Sequence, residues 1–134
     1  MLDRFQEVPH EGSLTDLLWS DPDPNKPGWS VSQRGAGYLF GSEVVGKFLE
    51  TNSFDHIMRA HQLCMDGYQV LFNDKLSTVW SAPNYCYRCG NVASVAEISE
   101  KSLERKYNVF AAAPENERKV PKNDSIKEIP DYFI

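Results

Sequence analysis

The order of hydrophobic patterns predicts an α+β fold, mostly one antiparallel or mixed sheet plus one main helix. A single stretch with helical spacing, residues 42–52, is followed over residues 54–113 by five short strand-like segments. Residues 1–41 are rich in turn formers and hold no long periodic run. At 134 residues the chain suits one domain, burying roughly two-thirds of its extended surface.

The densest turn cluster is Asp21-Pro22-Asp23-Pro24-Asn25-Lys26-Pro27-Gly28. Each residue before a proline is pushed out of the helical basin, so this segment is expected to be extended or turning. Leu14 to Trp19 is apolar but too brief to assign by period. Three glycines in Arg34-Gly35-Ala36-Gly37-Tyr38-Leu39-Phe40-Gly41 let the backbone fold tightly beside something. Ser42 reads as the helix N-cap, Glu43 as a first-turn acid, and Val44, Val45, Phe48 and Leu49 as the apolar stripe, with Thr51-Asn52 as the stop. Strands are predicted over 55–62, 67–72, 77–82, 92–98 and 106–111, with a hairpin connection at Asn73-Asp74-Lys75 and a polar excursion over 99–104. Strands this close in sequence favour antiparallel neighbours. Beyond Pro114 the chain turns polar, and residues 114–134 read as a flexible tail ending in Asp131-Tyr132-Phe133-Ile134, a candidate docking element.

Composition narrows the function classes. Fourteen Lys plus Arg against nineteen Asp plus Glu give a formal charge of −5, without the basic stripe that nucleic-acid backbones require. Three cysteines argue against a secreted disulfide scaffold, and no apolar run is long enough for a membrane span. The expectation is a soluble cytosolic or nuclear protein that binds neither nucleic acid nor membrane.

Several residues qualify for chemistry. His61, near the end of a predicted strand, reads as either a core histidine or a ligand. Arg34 lies among glycines, where a guanidinium recognises phosphate bidentately and a ligand can approach the backbone; no Gly-Lys-Ser/Thr follows, so this is not an NTPase phosphate loop. His10 reads as a loop surface histidine, and His56 carries no function. Cys86 and Cys89 form one C-x-x-C, open to a zinc or a thiol reading. Asp16, Asp21 and Asp23 read as turn chemistry in preference to metal ligands.

Five stretches together carry a resemblance. They are Gln6-Glu7-Val8-Pro9-His10-Glu11-Gly12, Asp16-Leu17-Leu18-Trp19-Ser20-Asp21-Pro22, Arg34-Gly35-Ala36-Gly37, Arg59-Ala60-His61-Gln62, and residues 81–91 from Ser81-Ala82-Pro83-Asn84 through Tyr85-Cys86-Tyr87-Arg88-Cys89-Gly90-Asn91. In this order they resemble the C-terminal part of a phosphoprotein phosphatase family serine/threonine phosphatase catalytic subunit, in its type 2A/4/6 branch. The likeness runs from residue 1 to about 113 and returns at Asp131-Tyr132-Phe133. Gln33 stands where the family usually has proline, and Ile134 where the branch usually ends in leucine.

The resemblance implies the C-terminal portion of a calcineurin-like metallophosphoesterase β-sandwich with flanking helices. Residues 1–113 would form a partial catalytic domain and 114–134 the tail. It implies that His61 is a metal ligand, that Arg34 grips phosphoryl oxygens, and that Tyr85 stands beside the metal-bridging hydroxide. His10, Trp19, Leu63, Arg88 and Cys89 would border the substrate cleft, which demotes the zinc and thiol readings of the cysteine loop. The implied cofactors are two divalent metal ions, manganese or iron and zinc. The implied partners are phosphoserine and phosphothreonine proteins, with scaffold and regulatory subunits meeting the cleft rim and tail.

The family's other metal-binding motifs, Gly-Asp-x-His-Gly, Gly-Asp-x-Val-Asp-Arg-Gly and Gly-Asn-His-Glu, do not occur in the chain. One histidine does not hold a metal pair, so the expectation is a protein phosphatase polypeptide inactive by itself. The alternative is a non-catalytic binding chain that competes for phosphatase scaffold or regulatory subunits.

Overall fold

A computed structural model describes residues 2–114 and 117. Apart from Pro114 and Glu117, the predicted tail, with its Asp131-Tyr132-Phe133-Ile134 end, lies outside the described residues. The chain divides into two compact units, one from Met1–His61 and Val70–Ser77, the other from Gln62–Gln69 and the chain from Thr78 onward.

The first unit opens with α1 (Ser13–Trp19), a helix of under two turns, too short for the sequence pattern to reveal. Its buried Thr15 donates its hydroxyl proton to the Pro9 carbonyl at 2.6 Å, fixing the entering chain. Three short strands follow: β1 (Asp21–Pro22), β2 (Trp29–Val31) and β3 (Tyr38–Phe40). They form a small sheet in the order β1-β3-β2, with β1 parallel and β2 antiparallel to β3.

The main helix, α2 (Ser42–Asn52), stands where the spacing places it and ends on Ser53 in the left-handed region. Its cap differs from expectation: Gly41 occupies the N-cap and Ser42 is the first helical residue, with no side-chain cap bond. The reason is steric. A Cβ on Gly41 would stand 1.7 Å from the Lys26 carbonyl oxygen, and the Gly41 N–H donates to the Gly28 carbonyl at 3.0 Å, so the 26–28 backbone occupies the place of a capping side chain. Of the predicted apolar stripe, Val45 and Leu49, one turn apart, are buried against Leu76, with Phe40, Ile57, Leu71 and Phe72 around them. Phe48 is left half-exposed, its ring tilted against that of Phe54.

The remaining strands are β4 (Ile57–Arg59), β5 (Asp66–Leu71), β6 (Leu76–Val79), β7 (Val92–Ile98) and β8 (Arg105–Phe110), in the sheet order β4-β6-β5-β7-β8. A four-residue turn joins β5 to β6 at the predicted hairpin. In the first unit His56 clamps this turn, one ring nitrogen 2.7 Å from the Asp74 carbonyl and the other 2.8 Å from the buried Ser77 hydroxyl.

In the second unit, β7 and β8 pair antiparallel over Ala93–Ile98, as expected of sequence neighbours, but β5 pairs with β7 parallel. Gly67 makes that pairing: its φ is +82°, and a Cβ there would meet the Ala93 carbonyl carbon at 2.6 Å. Its carbonyl accepts bonds from the Trp80 N–H and the buried Ser94 hydroxyl. The small β1-β3-β2 sheet and the short helix α1 therefore add to the one sheet and one main helix that patterning alone makes visible.

Candidate phosphate-binding site

The candidate site gathers on one carboxylate. Asp21 lies in β1, and the parallel register Asp21↔Leu39 sets it beside the glycine loop. That loop can come close because Gly37, at φ +65°, meets the Trp19–Ser20 backbone where a Cβ would stand at 2.8 Å, and the Ser20 hydroxyl accepts the Tyr38 N–H. Within the loop the Arg34 N–H donates to the Ser32 hydroxyl, a local turn that directs Arg34 back toward β1.

Asp21 is 2% exposed and receives two guanidinium groups. Arg34 donates through Nε to Oδ2 at 2.6 Å, and Arg59, closing β4, donates through Nη2 to Oδ1 at 2.6 Å. Arg59 also reaches the Ser20 carbonyl at 3.4 Å. Two cations against one anion leave this trio a formal charge of +1. Guanidinium groups held by charge-assisted bonds of this length are fixed in place.

His61 stands at the same place. Its Nδ1 is 3.2 Å from Asp21 Oδ1, yet that buried nitrogen makes no aligned hydrogen bond. The Trp19 ring meets the imidazole edge-on at 5.5 Å, and His61 itself adopts φ +81°, a strained backbone for any residue with a Cβ. Burial pushes the imidazole below its ordinary value of 6.5; Asp21 opposes this, while Arg34 and Arg59 reinforce it. The shift favours the neutral imidazole, the form in which a nitrogen lone pair can serve a metal.

Of the residues the sequence singles out, Arg34, His61 and Trp19 come together in this unit. His10 is exposed in the bend ahead of α1 and makes none of the contacts around Asp21. Tyr85, Arg88, Cys89 and Leu63 belong to the second unit. Tyr85 opens a 3-10 turn (Tyr85–Tyr87) and meets Trp80 edge-on at 4.8 Å. Arg88 is exposed, whereas Leu63 and Cys89 are half-buried. No disulfide joins any of the three cysteines.

The loop holding Tyr85 is organised by Asn91, which is 3% exposed. Its Oδ1 accepts the Tyr85 N–H at 2.8 Å, and its Nδ2 donates to the Ala82 and Val92 carbonyls at 2.9 Å each. These bonds hold a turn in which Asn84, Cys86 and Tyr87 all have positive φ.

Sequence reasoning misses two members of the Asp21 group. Asp21 reads as turn chemistry because Asp-Pro is a common turn pair, and that reading is corrected here: it is a buried strand residue paired to two arginines. Arg59 carries no signal beyond its place two residues before His61.

A metal centre asks for more donors than this group offers. Among the described residues no three His, Cys, Asp or Glu side chains cluster to hold an ion. Both Asp21 oxygens are engaged by guanidinium groups, so the arrangement fits one imidazole ligand, His61, and not a complete metal site.

Comparison with known proteins gives this geometry a context. Residues 1–65 match the calcineurin-like phosphoesterase family. The whole chain is 63% identical to a protein phosphatase 2A catalytic subunit of Dictyostelium discoideum, covering 43% of that protein. It is 55% identical, again over 43% of the relative, to a Schizosaccharomyces pombe protein that bears the name serine/threonine-protein phosphatase. A solved Saccharomyces cerevisiae serine/threonine phosphatase, similar to human phosphatase PP5, superposes at TM-score 0.76 with 34% identity, over 84% of this chain and 38% of that one. The chain thus spans less than half the length of the relatives it matches. It belongs to the calcineurin-like phosphoesterase family, among the serine/threonine protein phosphatases of type 2A kind.

Proposed function

We propose that this chain supplies the phosphate-gripping part of a serine/threonine protein phosphatase, acting on phosphoserine and phosphothreonine proteins. The observation that carries the reading is the buried Asp21 group, where an arginine fixed in a glycine loop and a histidine meet. A guanidinium is a fork of five N–H donors, and its bond from Nε to Asp21 sets the plane in which the fork lies. That fork suits the equatorial oxygens of a phosphoryl group, whose charge the +1 trio attracts. Such a preorganised donor contributes on the order of 3–4 kcal/mol where charge develops in a transition state.

His61 contributes one nitrogen toward a metal ion, manganese in our reading, with the remaining ligands lying outside this donor set. Two divalent ions, where complete, lower the pKa of a bridging water and neutralise phosphoryl charge. The described residues do not by themselves hold such a pair. Tyr85 as a catalytic neighbour and His10, Trp19, Leu63, Arg88 and Cys89 as substrate-bordering residues rest on the family likeness. Three cysteines, an odd and small number, support action in a reducing compartment, the cytosol or nucleus.

The incomplete donor set also favours a second reading, a non-catalytic chain competing for phosphatase scaffold or regulatory subunits. The second reading expects an inactive chain to capture such subunits, whereas the first expects phosphate recognition to run through Arg34. A phosphoserine peptide should bind the chain more tightly than its unphosphorylated twin by fluorescence anisotropy, and Arg34→Met should erase the difference. Equal binding of the two peptides by the unsubstituted chain would refute the proposal.

A further inference from the structure

We propose that Asp21 is a positioning residue for phosphate recognition, holding Arg34 and Arg59 in the one arrangement in which they attract the anion. The inference rests on the reading of Arg34 given above and deepens it. Three observations carry it. Asp21 is 2% exposed and meets both guanidinium groups at 2.6 Å, one on each carboxylate oxygen. The two arginines arrive from different elements, a glycine loop and the end of β4, and converge on this one carboxylate. The same Oδ1 lies 3.2 Å from His61 Nδ1, so the imidazole borders the carboxylate that both guanidinium groups meet.

Guanidinium groups gathered without a counter-charge repel one another, and each long side chain would lose rotamer entropy to bind. The buried carboxylate removes both costs before an anion arrives, which is preorganisation. It acts through Arg34 and Arg59 and touches no substrate itself.

A competing view makes Asp21 a mere counter-ion, and the two views predict opposite signs. If Asp21 only neutralises charge, Asp21→Asn removes one negative charge beside both guanidinium groups and tightens anion binding. If Asp21 positions, the same change weakens it.

The test uses the full isotope-labelled chain and inorganic phosphate. In the unsubstituted chain the Arg34 Nε–H should exchange with water at least about tenfold more slowly than that of free arginine. Phosphate should shift Arg34 signals, and Asp21→Asn should weaken phosphate binding by about tenfold or more. Undiminished or tighter phosphate binding by Asp21→Asn, with Arg34→Met weakened, overturns the positioning role alone. Undiminished binding by Arg34→Met instead overturns the underlying assignment of Arg34 to phosphate. Should Asp21→Asn fail to fold, the exchange rate decides: an Nε–H as fast as free arginine overturns the proposal.

Discussion

Replacing Arg34 with methionine should destabilise the chain as well as impair phosphate recognition. Methionine keeps much of the apolar stem and deletes the guanidinium, so the change isolates the ion pair. That pair is not a surface one: the Arg34 side chain is 16% and the Asp21 side chain 3% exposed. Removing one partner of a buried charge pair costs about 3–5 kcal/mol when the survivor is left unpaired. Asp21 is not left so, because Arg59 still holds Oδ1 at 2.6 Å. The cost therefore falls toward that of one charge-assisted hydrogen bond to a buried group, about 2–3 kcal/mol. Against the roughly 5–15 kcal/mol of a typical domain this is a large fraction, visible in the midpoint of urea unfolding followed by circular dichroism. The double variant with Asp21→Asn should cost less than the two single changes summed, since the partners are in contact. A loss below about 0.5 kcal/mol for Arg34→Met would put the pair in the energetic class of exposed ones and overturn its treatment as buried.

Two further outcomes follow from the same geometry. Asn91→Ala deletes three hydrogen bonds that shape the Tyr85 turn and leaves buried groups unsatisfied. Urea unfolding should show a loss of about 2–3 kcal/mol, with perturbed amide signals confined to residues 82–92; a wild-type midpoint would contradict it. His61, held below its ordinary 6.5 chiefly by burial, should titrate by NMR at a midpoint under that value. The unfolded chain then binds the extra proton first, so this group's share of stability is present above pH 6.5 and is lost as pH falls through the folded midpoint; a midpoint at or above 6.5 would contradict it.

Much of the fold is legible because local pattern and packing agree. Val45 and Leu49 sit one turn apart and both are buried, so α2 is readable from spacing. β7 and β8 are joined by a tight polar connection, and they pair as sequence neighbours. What escapes is what only tertiary contact decides. α1 is shorter than two turns and β1 has two residues, too few for either to show a period. Gly41 takes the cap in place of Ser42 because the distant 26–28 backbone packs onto it.

The site divides the same way. Arg34 stands out because glycines flank it, and Asn91 is visible only as part of a motif. Asp21 is misread because Asp-Pro usually marks a turn, and its burial arises from pairing with Leu39, far along the chain. Arg59 is visible only as part of a motif, and its place in the site comes from tertiary pairing with Asp21.

The proposed function gives this chain a phosphate grip, and its described residues hold no complete metal-binding set. The most direct test is phosphate release from a phosphoserine peptide by the purified chain in manganese. No release above the metal-only blank is expected; release that Arg34→Met abolishes would contradict it.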